Sequence, residues 1–333
     1  MNQPPEDALA VGIRALIAQA EGSDPGALAL STIPGGASRE TFLAEAGDRR
    51  WVVRRDPLGA RDSFAPLEVE FRVVQAAAAA GVPVPRPIAF EPADGRLESA
   101  GFAMDHVAGT SVAPRVLRRD DLAAARRVLP AQLGEALARI HSIEGREIEG
   151  VSASDSDPAF AACELWEATL DGVGEPLPAV EVGLRWLRLH PPPPPARECL
   201  VHGDFRLGNL IVGESGLAAV IDWELCHSGD PAEDIGWLCV RSWRFGNDEK
   251  PVAGVGSLAQ LLEAYEGAGG DPPSPERIRW WEAMGNVKWA VICARQAHDH
   301  LTGARPSAEL ASLGRRICEP EWDLLQLLPF GEG

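Results

Sequence analysis

Hydrophobic positions recur with two different periods along this chain, and the change of period divides it. Near the start, Leu9, Ile13, Leu16 and Ile17 repeat at helical spacing within residues 6–21. The texture then becomes short and extended. Leu28-Ala29-Leu30-Ser31-Thr32-Ile33, Thr41-Phe42-Leu43-Ala44 and Trp51-Val52-Val53-Arg54 read as three strands. A glycine turn, Pro34-Gly35-Gly36-Ala37-Ser38-Arg39, separates the first two, and Gly47-Asp48-Arg49-Arg50 leads into the third. Leu67, Phe71, Val74 and Ala78 then predict a helix over residues 66–80, with Pro66 suited to its first turn and Gly81 as its stop. Ile88-Ala89-Phe90 and Phe102-Ala103-Met104 add two strands around a polar turn. Beyond Gly109 the helical period takes over, over residues 121–140, 160–171, 180–189, 257–268, 274–300 and 307–328, with a stiff polyproline connector at 191–195. The pattern predicts an α+β fold of two lobes joined near residue 106. Residues 1–106 form a small lobe with an antiparallel sheet, one main helix and an N-terminal helix; residues 107–333 form a larger, mainly helical lobe. Nine of the ten tryptophans lie beyond Gly109, which puts the larger core there.

One stretch of the second half breaks the helical pattern. Residues 199–237 read CLVHGDFRLGNLIVGESGLAAVIDWELCHSGDPAEDIGW. Leu210-Ile211-Val212 and the apolar run 217–221 flank Gly213-Glu214-Ser215-Gly216, a hairpin signature. With those four residues as the loop, Val212 pairs with Leu217, Asn209 falls opposite Val220, and Asp222 emerges beside Asn209. His202-Gly203-Asp204 adds a second carboxylate just before the first strand. Two carboxylates and a carboxamide at one end of a ribbon are oxygen ligands of the kind that suits Mg²⁺.

Composition narrows the classes. A hydrophobic share of 45% and a charged share of 24% are those of an ordinary soluble protein. The net charge of −18 argues against a nucleic-acid or anionic-membrane surface. The longest small apolar run, residues 76–80, is far too short to span a bilayer, and residues 1–7 lack the basic and apolar regions of a signal peptide. Six scattered cysteines without a CxxC pair point to reduced thiols rather than zinc or disulfides. A cytoplasmic protein acting on a small molecule, with no nucleic-acid or membrane partner, is the expectation; oligomeric state is not legible.

HGDxxxxN (His202 to Asn209), a short hairpin and then Ile221-Asp222-Trp223-Glu224 together resemble the aminoglycoside phosphotransferase family of the protein-kinase-like superfamily. The run GDPAEDIGW at 229–237 and the late helices are closest to the branch associated with acyl-CoA dehydrogenases. The resemblance implies a bilobal kinase-like fold using ATP and Mg²⁺. It assigns Asp204 as the catalytic aspartate that orients or deprotonates the acceptor hydroxyl, and Asn209 and Asp222 as metal ligands. It places Gly35, Gly36 and Ser38 in the nucleotide-covering loop, where successive backbone N–H groups can cradle phosphate. Arg54 stands at the strand position that usually holds a phosphate-binding lysine; arginine binds phosphate bidentately but is not equivalent. Its partner should come from the 66–80 helix. Periodicity leaves Glu68 and Glu70 on the two flanks of the apolar stripe, and the family pattern selects Glu70. The hinge falls on residues 104–109, implying that adenine is read by the carbonyl of Asp105 and the N–H of Val107.

Other features have plainer readings. His202 holds the loop in this family rather than acting as a base, and Asp230 and Asp234 cap helices or brace the loop. Gly254-Val255-Gly256-Ser257-Leu258-Ala259 fits a dinucleotide fingerprint, but no βαβ context surrounds it. In His298-Asp299-His300 the two imidazoles do not share a helix face. For the acceptor, Lys288, Trp289 and Arg295 on one late helix suggest a basic and aromatic wall for an anionic, partly apolar substrate, against a plain alternative of core tryptophans and solvated charges. The expected activity is a small-molecule kinase transferring the ATP γ-phosphoryl group to a hydroxyl, such as that of a hydroxyacyl compound. Two rivals are a catalytically weak nucleotide-binding regulatory module and an aminoglycoside-modifying phosphotransferase.

Overall fold

The computed structural model describes residues 8–33, 39–57 and 65–328. The loop positions Gly35, Gly36 and Ser38 lie outside them. Strands β1 (Ala29–Thr32), β2 (Glu40–Ala46), β3 (Arg49–Arg55), β4 (Pro87–Glu91) and β5 (Gly101–Asp105) form an antiparallel sheet in the order β1-β2-β3-β5-β4. Helices α1 (Ala8–Glu21) and α2 (Leu67–Ala79) accompany it. The two-residue period of β3 explains what faces what. Trp51 and Val53 point to one side and join Ile13, Leu16 and Ile17 of α1. Val52 and Arg54 point to the other, where Leu67 and Phe71 of α2 pack with Phe102 and Met104.

Helix α2 is buried on two sides. Leu67 and Phe71 meet the sheet, while Val69, Val73, Val74 and Ala77 meet the core of the helical half. The buried stripe therefore runs through Val73 and Ala77 rather than Ala78, which is exposed. Between these two contacts Glu70 is left 1% exposed, an unusual place for a carboxylate without a partner.

The remaining helices are α3 (Ala113–Arg118), α4 (Ala123–His141), α5 (Pro158–Val173), α6 (Pro178–Leu189), α7 (Ala232–Cys239), α8 (Leu258–Gly267), α9 (Pro275–Leu301), α10 (Ala308–Leu313) and α11 (Cys318–Leu327). The single helix expected over 307–328 is two, separated by a short turn at Gly314–Arg316. Pro320, lacking an N–H, is accommodated only in a first turn, and α11 starts two residues before it. Helix α9 is the pillar of this half, packed by α5, α6, α7, α10 and α11. At its crossing with α7, a side chain on Gly236 would sit 2.6 Å from the Trp281 backbone, so glycine there sets the approach of the two helices. No helix among the described residues is long and apolar enough to cross a membrane.

Five short strands serve the central stretch: β6 (Ser152–Ala153), β7 (Cys199–Val201), β8 (Leu210–Gly213), β9 (Gly216–Val220) and β10 (His227–Gly229). β7 and β10 pair antiparallel, His227 opposite Val201 and Gly229 opposite Cys199, so both feet of residues 202–226 are tied together. Within that excursion β8 and β9 form the expected hairpin, with Val212 opposite Leu217. Its register then shifts between Ile211 and Val212, placing Leu210 opposite Val220. Ala218 is the extra residue of a bulge, and Asn209 consequently faces Ile221, whose N–H donates to the Asn209 carbonyl at 2.9 Å. The hairpin also touches the sheet half. Thr110 and Val212 exchange two backbone hydrogen bonds of 3.0 Å, and Val220 N–H donates to Pro83 O at 2.7 Å.

Candidate active site

The loop after β7 turns sharply at Gly203, whose φ of +78° is left-handed and where a Cβ would lie 2.2 Å from the Leu225 carbonyl. Asp234, fully buried on α7, fixes this turn by accepting the N–H groups of His202 at 2.8 Å and Gly203 at 2.9 Å. His141 Nε2 approaches the same carboxylate at 3.3 Å, and its Nδ1 meets the Tyr265 hydroxyl at 3.0 Å. Burial pushes Asp234 up, but the bond from His141 and the neighbouring histidines outweigh it and hold the carboxyl below its ordinary range.

His202 is fully buried and spent on architecture. Its Nε2 donates to Ile221 O at 3.1 Å, and its Nδ1 accepts the Asp204 N–H at 3.1 Å. Burial lowers its pKa against the pull of Asp234 and Asp204, so the ring stays neutral.

Asp204 is held by three donors. Oδ1 accepts from Arg206 Nε at 2.9 Å and from the Trp237 indole at 2.8 Å; Oδ2 accepts from Asn209 Nδ2 at 2.6 Å. The same Nδ2 also reaches the Asp204 carbonyl at 2.9 Å, which commits the nitrogen and leaves Oδ1 as the Asn209 atom available to a cation.

Asp222 adopts φ +69°, a left-handed conformation that aspartate tolerates better than most residues. Its Oδ1 accepts from Arg54 Nη2 at 2.8 Å, while Arg54 Nη1 donates to Glu70 Oε1 at 2.5 Å. One buried guanidinium thus bridges the sheet, α2 and the hairpin. Desolvation opposes the charge on Arg54, yet Glu70, Asp222 and Glu224 together raise its pKa further. On Glu70, burial raises the pKa more than Arg54 lowers it, and the second carboxylate at Asp222 adds to the rise. Arg54 Nε is buried with no partner among the described residues, a donor that a phosphate oxygen would satisfy.

Direct bonds thus join Asp204 to Asn209 and Asp222 to Arg54 and Glu70, and the Ile221 N–H on the Asn209 carbonyl links the two groups. Asp105 ends β5, its N–H bonded to Arg86 O at 3.0 Å and its carboxylate clamped by Arg86, with Val107 two residues on at the crossing to the helical half. The acceptor trio is not gathered on one open wall. Lys288 is 4% exposed, donates to the Gly203 carbonyl, lies 3.4 Å from Glu233 and sits 4.6 Å over the Trp237 ring. Trp289 packs on Trp243 with ring centroids 4.8 Å apart, and Arg295 is an exposed partner of Asp299. Helix α9 is buried on most of its circumference, so spacing along it does not reveal which residues face a cleft. Sequence reasoning missed Arg206 and Trp237. The signal for Trp237 was its place three and four residues after Asp234 and Glu233, on their face of one helix.

The implied metal fits the donor set. Asn209 offers a carboxamide oxygen and Asp222 a carboxylate, both hard donors, and Mg²⁺ takes few protein ligands because it keeps waters and binds phosphates. Among the described residues no group of three or more His, Cys, Asp or Glu could hold a metal by itself.

A strand-rich half with a buried arginine–glutamate pair, joined to a helical half in which an aspartate–asparagine pair stands at the foot of a short hairpin, is the architecture of a kinase-like phosphotransferase. The chain belongs to the APH phosphotransferase enzyme family, whose model matches residues 29–281. It is 27% identical over 332 residues to acyl-CoA dehydrogenase family member 11 of Gallus gallus, covering 92% of this chain and 41% of the relative. The chain therefore spans less than half the length of that curated relative. A crystal structure of a candidate aminoglycoside phosphotransferase from Ralstonia eutropha is 25% identical, with a TM-score of 0.72 over 95% of this chain and 98% of that one. A spectinomycin phosphotransferase solved with ADP and spectinomycin, 15% identical, shares the fold with a TM-score of 0.62 over 98% of this chain and all of that one.

Proposed function

We propose that this phosphotransferase moves the γ-phosphoryl group of ATP to an alcohol hydroxyl of a small molecule. The observation that carries the reading is the Asp204 carboxylate, whose Oδ2 accepts from the Nδ2 of Asn209 and so leaves the Asn209 Oδ1 for a cation. In-line transfer forms a bond between the acceptor oxygen and γ-phosphorus as the bond from γ-phosphorus to the β–γ bridging oxygen breaks. The hydroxyl proton passes to Asp204, and ADP carries off the electron pair of the broken bond. Asn209 and Asp222 would hold Mg²⁺, which supplies charge neutralisation at the β- and γ-phosphates. Arg54, oriented by Glu70, directs its remaining donors at phosphate. Residues 34–38 cover the nucleotide and the Asp105–Val107 backbone reads adenine. Residues 1–106 thus act as the nucleotide lobe and 107–333 as the catalytic and acceptor lobe.

The acceptor we favour is a hydroxyacyl compound, because the curated relative carries an acyl-CoA dehydrogenase name. The aminoglycoside reading rests on the structural neighbour that binds spectinomycin. The regulatory-module reading rests on arginine in place of lysine at position 54 and on a modest glycine loop; the buried Arg54–Glu70 pair speaks for the kinase reading instead. The test is ADP release from MgATP with a panel of hydroxyacyl thioesters, simple alcohols and aminoglycosides. Asp204→Asn should abolish phosphorylated product while nucleotide binding persists. Full product formation by that variant would refute the assignment.

A further inference from the structure

The run at 229–237 is more than a cap for α7. Asp230 holds the helix start, accepting the Ala232 N–H at 2.9 Å, and Asp234 staples the His202-Gly203 turn. Glu233 pairs with His227 at 3.0 Å and lies 3.4 Å from the Lys288 ammonium. Trp237, one turn after Glu233, ends the series with its indole N–H on the Asp204 carboxylate.

We propose that Trp237 is a positioning residue for phosphoryl transfer: with Arg206 it occupies Oδ1 of Asp204, so that Oδ2 is the oxygen presented to the acceptor hydroxyl. An ionised carboxylate offers about four lone-pair directions. Arg206 and Trp237 take the two on Oδ1, at 2.9 and 2.8 Å, and Asn209 takes one on Oδ2, at 2.6 Å. A single direction remains, on Oδ2, the atom that Asn209 also ties toward the metal hairpin. The carboxylate cannot rotate about its Cβ–Cγ bond without giving up all three donors.

The indole is itself immobilised. Trp237 is 2% exposed, crosses Trp243 edge-on with centroids 5.0 Å apart, and carries the Lys288 ammonium 4.6 Å over its ring. Lys288 in turn donates to the carbonyl of Gly203, the residue before Asp204. Backbone and side chain of the catalytic position are thus gripped through one indole. A buried ammonium over an indole face is stabilised by the ring quadrupole, and here it is also hydrogen-bonded.

This inference rests on the phosphotransferase reading, and its test has two arms that separate the two. Trp237→Phe keeps the ring on Trp243 and under Lys288 but removes the N–H. With MgATP and a hydroxyacyl thioester as probe, kcat should fall by about ten- to a hundredfold, with KM for ATP unchanged, because only the acceptor oxygen is misaligned. A variant with wild-type kcat, or one losing only ATP affinity, overturns the proposal. The second arm needs no turnover. In spectra of ¹⁵N-tryptophan-labelled protein, the indole resonance lost in Trp237→Phe should lie downfield in the wild type. In Asp204→Ala it should move upfield and exchange faster with solvent. A Trp237 resonance indifferent to Asp204→Ala overturns the proposal whatever the activity. A wild type that releases no ADP overturns the phosphotransferase reading while the resonance still decides whether the indole grips Asp204.

Discussion

Arg54 is the point at which the sheet, α2 and the end of the β8–β9 hairpin meet, and replacing it separates stability from chemistry. Its Nη1 reaches Glu70 at 2.5 Å and its Nη2 reaches Asp222 at 2.8 Å, so two terminal nitrogens serve two carboxylates. Arg54→Met strands Glu70, which is 1% exposed, without its counter-charge. Removing one member of a buried pair costs about 3–5 kcal/mol, or roughly 4–7 °C in Tm for a protein of this size. Arg54→Met combined with Glu70→Leu removes both charges and should recover most of that loss, since apolar replacement of a buried pair is often neutral. Activity should not return, because the phosphate donor is gone. Arg54→Lys is the informative middle case: one ammonium meets one carboxylate at a time, giving up a charged hydrogen bond of about 1.5–3 kcal/mol. If that bond aligns Arg54 for phosphate, KM for MgATP rises about 10- to 150-fold while Tm falls only slightly. Differential scanning calorimetry and ADP-release kinetics on the four proteins check this. An Arg54→Met protein with wild-type Tm would refute the stabilising role of the bridge, and a double variant with wild-type kcat/KM would refute its role in the chemistry.

Two further outcomes follow from burial. His202 has its pKa lowered in the folded protein, so the unfolded chain binds the extra proton and stability falls as pH drops below about 6.5, by at most about 1.4 kcal/mol per unit from this group. His227, raised by Glu233 against its burial, has the opposite sign: its contribution is full below about 6.5 and is lost as pH rises through the folded value. Urea midpoints between pH 5.5 and 8 should therefore flatten on the acid side in His202→Asn and on the alkaline side in His227→Gln; unchanged profiles would refute these assignments. Five cysteines are buried and Cys318 is exposed. Burial pushes Cys163 up to about 11 and Cys226, Cys239 and Cys293 up to about 12, and raises Cys199 as well. Brief alkylation of the native protein should add a single label, located by peptide mass spectrometry at Cys318, and several labels would count against this packing.

How much of this was legible in the sequence depends on the reach of each signal. Strand alternation carried far: with Trp51 and Val53 inward toward α1, Arg54 had to face the side on which α2 lies. Turn chemistry carried the hairpin but not its register, because the extra residue at Ala218 is one alanine of two and nothing local marks which is squeezed out. Choosing Glu70 over Glu68 needed the family pattern, since a helix buried on two sides has no single stripe to measure from. The same limitation, more severe, misplaced Lys288. Basic and aromatic residues on α9 suggest a binding wall only if α9 has a free face, and this helix is surrounded. The helix face shared with Glu233 and Asp234 marked Trp237 but not its partner: Asp204 is 33 residues earlier, and only the pairing of β7 with β10 folds that distance away.

The crossover at Thr110 bears on how this molecule can open. Thr110 follows the last strand of the sheet by only a few residues, yet it is stitched by two hydrogen bonds to Val212 in the hairpin, and Pro83 adds a third to Val220. Thr110, in the connector between the halves, thus extends the two-stranded ribbon on its β8 side, and Pro83 meets it on the β9 side. A swing of one half on the other would have to carry or break these backbone bonds, which tie the segment joining the halves to the ribbon flanked by Asn209 and Asp222. The Ile221 N–H on the Asn209 carbonyl holds the backbone on either side of that pair together as well.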